Sequence, residues 1–449
     1  MYIKQFEDKN LSHFSYAILS EKQIVLVDPA RFAKQYIDFA EEHDAQIVAI
    51  IETHPHADFV SSHLEIHQVT GAAIYISKLI GAYYPHHTFD EGQRFTVGKV
   101  MFISMNTPGH SPDSISIVAS EEGVPKAVFT GDTLFIGDCG RPDLREGVGN
   151  LQVTRESLAK QMYYSLREKI MTLPDDVIVY PAHGAGSLCG KNLSKMNSST
   201  IVEEKKYNWS LQPASEEEFV KNLLADQPFI PMYFPFDVEM NRKGALPEED
   251  SIASIKMGTF NEISLPSLDT DMWVIDVRNE KDFKKGHLPH SINLMENGKF
   301  ETWLGSIIKP GEMFYLAGEN EQQLKNMMRR AAAIGYEQQI KSSMIISNGW
   351  EKEFNLDIEI FMLNENAFTI IDVRNSSEVV QEKIFANSIS IPLQEIRLRM
   401  NEIPTDKPIV VHCAGGYRSA AASSLLHSKL NRDVKVYDLG EAIKQFSKS

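Results

Sequence analysis

The chain has 449 residues, and 45 basic against 61 acidic side chains give it a formal charge of −16. This length predicts about three domains. The acidic balance without a basic tract argues against nucleic-acid binding, and no apolar run approaches the ~20 residues of a membrane span. Three cysteines and a start without a signal-peptide layout argue against a secreted disulfide scaffold and favour the cytoplasm.

The first 250 residues alternate between strand and helix patterns. Short β-branched runs predict strands at 23–29, 45–54, 72–77, 99–110, 114–120, 127–135 and 176–184. Helical spacing of apolar residues is found at 31–43, 61–71 and 154–172. The predicted fold class is α/β, with a layered αββα order, and the Pro-rich, acidic segment 226–250 predicts an extended arm and linker.

A repeat follows this segment. The run WVIDVRNEKDF (273–283) matches TIIDVRNSSEV with a constant offset of 96. The same offset sets Ala317 beneath Cys413 and Gln322 beneath Arg418. Two homologous modules, a middle and a last one, are the simplest interpretation, and only the last module carries the chemical groups.

Four segments, each at the end of a predicted strand, carry the polar residues of the N-terminal region. They are THPHAD (53–58), TPGHS (107–111), TGDTLF (130–135) and PAHG (181–184). Because loops at strand ends can converge on one site, their His and Asp side chains are candidate metal ligands. These candidates are His54, His56, Asp58, His110, Asp132 and His183.

This order of motifs resembles the metallo-β-lactamase fold, whose signature runs THxHxDH, GH, GD and a late AHG. The resemblance implies an αββα sandwich with a metal centre. The last position of the first motif, usually His, is Phe59 in this sequence. In dinuclear hydrolases of this fold, that His helps to hold the second metal. Because Phe59 offers no ligand atom, a second metal would be held by Asp58 and His183 alone. The departure argues against a two-zinc hydrolase.

Persulfide dioxygenases of the same fold hold a single metal through the first His, the GH His and the GD Asp. The resemblance therefore implies one Fe(II) per chain on His54, His110 and Asp132, with open positions for substrate and O₂. The other candidates would orient these ligands or water, or serve an alternative metal site; they are His56, Asp58 and His183. A zinc site of His54, His56 and His110 stays open at this point.

Two further residues are candidates for contacts with the substrate. The run GDTLFIGDCGRPDL resembles a stretch beside the active site of persulfide dioxygenases, and Arg141 within it would steer an anionic sulfur substrate or pair with Asp143. Cys189 lies six residues after His183. It would carry or receive a sulfane sulfur at the site mouth, or be a buried and inert thiol.

The last module contains a cysteine loop. The run at 409–430 predicts a strand, a tight loop and a helix, with Cys413 opening the loop and Arg418 closing it. Inward N–H groups and the positive end of the helix favour a thiolate, and Arg418 adds charge for an oxyanion. The loop resembles the C-x-x-x-x-R loop of rhodaneses, which implies that Cys413 forms a persulfide and transfers its outer sulfur. The GH element of rhodaneses is kept in the middle module (286–293) but not in the last.

As a whole, the sequence resembles the bacterial persulfide dioxygenase–sulfurtransferase fusion family. The resemblance implies a persulfide dioxygenase domain at 1–245, a pseudo-rhodanese domain without the cysteine at 252–352 and a rhodanese domain at 355–449. It implies oxidation of a low-molecular-weight persulfide by O₂ to sulfite and thiol, then sulfur transfer to give thiosulfate. The expected carrier is glutathione, coenzyme A, bacillithiol or cysteine, and folds of this size often form homo-oligomers.

Two other functions fit part of the sequence. A dinuclear-zinc thiolester hydrolase resembling glyoxalase II, fused to a rhodanese, would hold two zinc ions per chain and no iron. A sulfur-carrier or redox-sensing protein would store a persulfide on Cys413 while its metal domain stayed inert. The sulfur-carrier or redox-sensing function predicts no oxygen uptake.

Overall fold

The computed structural model describes residues 1–146, 153–259, 268–347, 349–431 and 433–446. The chain divides into two compact units, one of Met1–Asp250 with Ala333–Gly335 and one of Ser251–Ala332 with Tyr336–Ser449. Among the helices in the described ranges, none combines the length and the apolar character needed to cross a membrane.

The first unit contains fourteen labelled strands and six helices within its described residues. The strands are β1 (Tyr2–Asp8), β2 (His13–Ser20), β3 (Gln23–Val27), β4 (Gln46–Ile51), β5 (Ala73–Ile76), β6 (His87–Thr88), β7 (Arg94–Val97), β8 (Val100–Asn106), β9 (Ile115–Glu121), β10 (Val124–Gly131), β11 (Leu134–Phe135), β12 (Asp138–Cys139), β13 (Ile178–Pro181) and β14 (Ser199–Thr200). The helices are α1 (Lys34–Glu42), α2 (His63–Thr70), α3 (Arg155–Tyr164), α4 (Ile201–Tyr207), α5 (Glu216–Leu224) and α6 (Phe234–Lys243).

Two six-stranded sheets form this unit, in the orders β1-β2-β3-β4-β5-β6 and β14-β13-β10-β9-β8-β7. Side chains such as Phe14 and Val25 of one sheet and Phe102 and Phe129 of the other share one buried core. A second apolar cluster joins α1 and α2 to the first sheet, and a third joins α3 and α5 to the second sheet. The unit is an αββα sandwich, and the predicted fold class is confirmed.

One prediction for this unit is wrong. Residues 226–250 were expected to form an extended arm, but α6 (Phe234–Lys243) occupies their centre and buries Phe234 and Val238. Pro235 lies in the first turn of α6, where the missing N–H of proline has no helical partner to lose. One of the prolines in this segment therefore marks the start of a helix.

The second unit continues from α7 (Glu248–Ala253), which begins in the first unit. Its strands are β15 (Met257–Thr259), β16 (Trp273–Asp276), β17 (Ser291–Asn293), β18 (Phe314–Gly318), β19 (Ile340–Ile345), β20 (Thr369–Asp372), β21 (Ile389–Ser390), β22 (Ile409–His412) and β23 (Val436–Asp438). Its helices are α8 (Glu280–Lys285), α9 (Phe300–Ile307), α10 (Glu321–Ala333), α11 (Ile358–Leu363), α12 (Ser376–Gln381), α13 (Ile396–Arg399) and α14 (Tyr417–Lys429).

Two parallel sheets in this unit repeat one topology. The middle module has the strand order β15-β19-β18-β16-β17, and the last module has the order β21-β20-β22-β23. In each module the first strand of the repeat lies between its two successors, as β16 does between β17 and β18 and β20 does between β21 and β22. The predicted repeat is present in the fold.

The strand pairing corrects one detail of the repeat. The first residue after β16 donates its N–H to the carbonyl of Ala317, whereas the matching residue after β20 donates to the carbonyl of His412. Ala317 therefore takes the place of His412, and Gly318, not Ala317, takes the place of Cys413. Because α10 still begins 96 residues before α14, the loop of the middle module is one residue shorter than the cysteine loop.

Candidate metal centre and cysteine loop

Three of the predicted ligands meet in one buried cluster. His54 follows β4, His110 follows β8 and Asp132 follows β10 directly, and one ligand atom from each lies within 4.8 Å of the others. The Nε2 atoms of His110 and His54 lie 3.4 Å and 3.9 Å from Oδ2 of Asp132. The ends of strands from both sheets thus bring together two imidazoles and one carboxylate.

The chemical state of this cluster fits a metal ion. Oδ2 of Asp132 is buried and has no hydrogen-bond partner within the described residues. Nδ1 of His110 donates to the carbonyl of Arg141 at 2.9 Å, which leaves the lone pair on Nε2. Burial lowers the pKa of His54 and of His110, so both rings are neutral. Neutral imidazoles and an ionised carboxylate are the forms that bind metals.

His183 holds the Asp132 carboxylate from the other side. Its Nδ1 bonds to Oδ1 of Asp132 at 2.8 Å, and its Nε2 lies 2.7 Å from Oδ2 of Asp58. Burial alone would lower the pKa of His183, but the two carboxylates outweigh it and raise the pKa well above the usual value. These contacts match the first of the two roles considered for His183 and Asp58, that of orienting a candidate ligand.

His56 belongs to a different cluster. Its Nε2 lies 3.2 Å from Asp28 and 3.3 Å from Glu52, and these carboxylates raise its pKa to about 10 against the opposing effect of burial. The predicted alternative of a zinc ion on His54, His56 and His110 is therefore not favoured by the geometry. The ring is instead paired with two buried carboxylates at the loop after β4, and removal of one partner would leave an uncompensated buried charge.

Asp28 contributes to the site although it lies outside the four sequence motifs. Its Oδ1 accepts the N–H of Thr53 at 2.7 Å, and its Oδ2 accepts the hydroxyl of Thr53 at 2.8 Å. The same hydroxyl lies 2.9 Å from Nδ1 of His54, so Asp28 fixes the orientation of a candidate ligand through one residue. Asp28 lies at the end of the predicted strand at 23–29. An acidic side chain at the end of a further predicted strand was the sequence signal that could have identified this residue.

Phe59 fills the position at which the signature carries a histidine. Its ring is buried and packs on His13 and His56, with centroids 3.9 Å and 4.3 Å apart. The side chain contributes apolar contact and no ligand atom, as predicted from its chemistry.

Arg141 and Cys189 are both buried. The guanidinium of Arg141 donates to both oxygens of Asp143 at 2.7 Å and 2.6 Å and to the carbonyls of Leu188 and Pro228. These contacts match the structural alternative for Arg141. Cys189 contributes a ligand atom within 4.8 Å of those of Asp58 and His183, and burial raises the pKa of its thiol.

Helix α6 holds the loop that carries His56 and Phe59. The side-chain amide of Asn241 donates to the carbonyls of these two residues at 2.8 Å and 2.7 Å, and its oxygen accepts the N–H of Ser61 at 2.8 Å. The segment predicted to be a linker therefore contributes a residue that holds the loop following the candidate ligand His54.

We expect Asn241→Ala to reduce the metal that the centre retains after dialysis and to lower the free energy of unfolding by about 2–4 kcal/mol. The substitution leaves two buried carbonyls and one N–H without partners, each costing about 1–3 kcal/mol with partial relaxation. Bound metal and denaturant midpoints measure the two effects. Asn222→Ala, on the exposed side of α5, is the matched control, and an equal loss in both variants would contradict the assignment.

The cysteine loop presents its N–H groups to the sulfur. Cys413 is buried at the end of β22, and its Sγ accepts N–H groups from Gly416 at 3.1 Å and Gly415 at 3.5 Å. Gly416 has φ of 100°, a left-handed conformation that favours glycine. Helix α14 begins at the next residue, so its positive end lies beside the sulfur. This arrangement directs two N–H groups and the positive end of a helix at the sulfur.

Arg418 is oriented by a carboxylate that the sequence analysis missed. Its Nη1 and Nη2 donate to Glu378 at 2.5 Å and 2.8 Å, and its guanidinium lies 6.0 Å from the ring centroid of Trp303 in the middle module. The hydroxyl of Tyr417 donates to the carbonyl of Met295, also in the middle module, at 3.0 Å. The module without the cysteine therefore supports the loop of its neighbour.

The DVR elements form the same buried ion pair in both modules. Arg278 binds Asp276, and Arg374 binds Asp372, with Nη2 to Oδ2 distances of 2.7 Å in each. Each arginine also donates to a carbonyl eight residues further along, at 2.8 Å. The pair at 372 and 374 is structural in this geometry, as the sequence analysis assumed.

We expect the stability of the last module to depend on pH through His412. Burial, only partly offset by Asp372, lowers the pKa of this ring to about 4. The unfolded chain takes up a proton near pH 6.5 and the folded chain only near pH 4. The free energy of unfolding should therefore fall by about 2–3 kcal/mol as pH drops between these values. Denaturant midpoints at pH 4.5 and 7 should differ less for His412→Leu, and an equal difference would contradict this.

The chain matches two known families of protein domains. Residues 9–183 match the metallo-beta-lactamase superfamily, and residues 262–352 and 361–446 each match the rhodanese-like domain. The human mitochondrial persulfide dioxygenase ETHE1 is 32% identical over 202 residues, which cover 44% of this chain and 70% of that protein. The chain belongs to the metallo-beta-lactamase superfamily. Its C-terminal region adds rhodanese-like domains, and the predicted fusion architecture is confirmed.

Other relatives lie in the same superfamily. A cytoplasmic hydroxyacylglutathione hydrolase of Arabidopsis thaliana is 30% identical over 239 residues, covering 51% of this chain and 82% of the hydrolase. A solved metallo-beta-lactamase structure from Staphylococcus aureus subsp. aureus COL has a TM-score of 0.67 and 30% identity, and the match covers 77% of this chain and 99% of that one. This superfamily implies a catalytic metal.

Proposed function

We propose that this protein oxidises low-molecular-weight persulfides with O₂ at one Fe(II) held by His54, His110 and Asp132, and that it transfers sulfane sulfur through Cys413 to give thiosulfate. The observation that carries the proposal is the pair of neutral imidazoles around the unpartnered Oδ2 of Asp132. Two histidines and one carboxylate are the donor set of non-haem Fe(II) oxygenases. Similarity to a persulfide dioxygenase supports the same chemistry.

Bound Fe(II) would supply positions for O₂ and the persulfide sulfur. The residues of the chain prepare that site. His110 is held in one tautomer by the carbonyl of Arg141, and Asp132 is held by His183. The whole cluster is buried, which excludes bulk water and strengthens its electrostatic interactions.

The first reaction balances as RSSH + O₂ + H₂O giving RSH + H₂SO₃. The S–S bond of the persulfide breaks, the outer sulfur loses four electrons, and O₂ gains them. The thiol leaves with the proton that the persulfide brought. The carrier thiol would be glutathione, coenzyme A, bacillithiol or cysteine.

The second reaction uses the cysteine loop. The thiolate of Cys413 attacks the outer sulfur of a second persulfide, so that a new S–S bond forms and the carrier thiolate leaves. Sulfite then attacks the outer sulfur of the Cys413 persulfide, thiosulfate leaves, and the thiolate is restored. The N–H groups of Gly415 and Gly416 bind the sulfur in its anionic form, and Arg418 offers positive charge to the sulfite.

Oxygen consumption tests the proposal directly. The Fe(II)-loaded chain is mixed with each of the four candidate persulfides in an oxygen electrode, and sulfite and thiosulfate are measured. Uptake with one of them, and thiosulfate as the product, is the expected result. No uptake, with bound iron and intact persulfide both verified, would overturn the oxidation step.

One observation favours a second candidate function, a dinuclear-zinc thiolester hydrolase. Asp58, His183 and Cys189 form a buried set of three donors, one more than the sequence alone offered for a second metal. A hydroxyacylglutathione hydrolase is also among the relatives. Two zinc ions per chain, together with hydrolysis of a glutathione thiolester, would favour this function over persulfide oxidation.

A further inference from the structure

A separate cluster of metal-ligating side chains lies in the second unit. His287, Glu351 and His427 each offer one ligand atom, and these atoms lie within 4.8 Å of one another. Glu351 and His427 line a cavity of about 370 Å³ together with His290. His427 is ten residues from Tyr417 along α14, about 15 Å of helix, so the cluster is distinct from the cysteine loop.

His287 is prepared to act as a ligand. Its ring stacks on Phe283 with centroids 4.1 Å apart and an interplanar angle of 2°. Its Nδ1 donates to the carbonyl of Phe283 at 3.1 Å, which fixes the tautomer and leaves the lone pair on Nε2. Nε2 is buried and has no hydrogen-bond partner among the residues that the structure describes. Burying an acceptor without a donor costs free energy, and a bound cation would offset that cost.

The backbone holds Glu351 beside His287. The N–H of His287 donates to the carbonyl of Glu351 at 2.9 Å, and the N–H of Glu351 donates back at 3.1 Å. The two backbone segments cross so closely that a Cβ on Gly349 would lie 2.0 Å from the backbone N of His287. Only glycine permits this approach, so the backbone segments that carry two of the three donors have a fixed relative position.

We propose that His287, Glu351 and His427 bind a divalent transition-metal ion such as Zn²⁺, and that the bound ion ties the middle module to α14. Two imidazoles and one carboxylate are a known zinc donor set, with water completing the tetrahedron from the cavity. Tetrahedral donors around zinc lie about 3.3 Å apart, so side-chain rotations close the site around the ion.

The proposed site also accounts for a sequence feature. The middle module keeps the GH element that the last module lacks, and the offset of 96 sets Lys383 at the position of His287. His427 comes from the last turn of α14, whose first turn carries Arg418. The ion would therefore join the module without the cysteine to the helix that completes the cysteine loop.

Zinc binding by the full-length chain tests the proposal. The wild-type chain, Glu351→Gln and His427→Ala are loaded with Fe(II) and dialysed against buffered free Zn²⁺, and bound zinc is measured. Each variant should lose one zinc equivalent, or bind it more than about tenfold more weakly. His87→Ala, at an exposed histidine of β6, should bind as the wild type does.

Thermal unfolding gives a second measurement. Zn²⁺ should raise the midpoint of the wild-type chain more than those of the two variants, since a ligand of the folded state stabilises it by mass action. Equal zinc binding in the wild type and both variants would overturn the proposal. Thiosulfate:cyanide sulfurtransfer verifies that the variants fold. If His427→Ala does not fold, the zinc binding of Glu351→Gln tests the proposal, because this variant keeps the backbone bonds to His287. The comparison is a difference between variants and does not depend on persulfide oxidation.

Discussion

His110→Ala should abolish oxygen consumption while thiosulfate:cyanide sulfurtransfer continues at the wild-type rate. His110 supplies one of the two imidazoles that face Oδ2 of Asp132, and alanine offers no ligand atom in its place. We expect iron content to fall well below one per chain and persulfide-dependent oxygen uptake to fall more than about a hundredfold, since even residues behind the ligands cost 10–100-fold in such sites. An oxygen electrode and metal analysis measure the two losses.

The separation of the two activities is the informative part of this result. The contacts described for Cys413 come from residues of the second unit, such as Gly416 and Ser419, so the loss of a ligand in the first unit leaves them intact. His87→Ala is the control for the loss of a histidine ring. If His110→Ala keeps full oxygen uptake, or loses both activities while still folded, the division of labour proposed for the two units is wrong.

Cys413→Ser should reverse the pattern, so that sulfurtransfer is lost and sulfite becomes the final product. The serine hydroxyl is close in size, but it does not form a persulfide, and its oxygen is not ionised near neutral pH. We expect thiosulfate:cyanide sulfurtransfer to fall at least about 10³-fold with oxygen uptake retained. Product analysis with excess persulfide distinguishes sulfite from thiosulfate.

The middle module offers a matched control for this variant. Gly318 takes the strand position of Cys413, so Gly318→Cys in the Cys413→Ser background places a thiol at the equivalent point. We expect no recovery of sulfurtransfer, because the loop there is one residue shorter and Gln322 stands where the last module has Arg418. Thiosulfate production by Cys413→Ser alone would show that sulfur transfer does not need the cysteine loop.

Much of the candidate centre was predictable because its residues follow predicted strands. His54, His110 and Asp132 each come after a hydrophobic run whose pattern indicates a strand. The order of the motifs therefore indicated the candidate side chains, and the packing of the two sheets brought them together at one edge of the sandwich. The repeat was also visible, since the DVR run occurs twice at one offset.

Other parts depended on packing that spacing does not encode. Asn241 reaches the loop of His56 from α6, about 180 residues away in sequence, and its segment was predicted to be a linker because prolines do not distinguish a helix start from an extended arm. Likewise, nothing local separates His56 from the candidate ligand His54, which lies two residues before it. Only the buried carboxylates of Asp28 and Glu52 decide that its ring belongs to a structural cluster.

The sequence by itself determined the chemistry: which residue types are present, in which order, and on which predicted strands and helices they lie. The tertiary structure decided the partners. Arg141 binds Asp143, Cys189 joins Asp58 and His183, and the shorter loop puts Gly318 opposite Cys413. Local patterns fix secondary structure, but a hydrogen bond or a ligand set between distant segments depends on how those segments pack, which periodicity does not report.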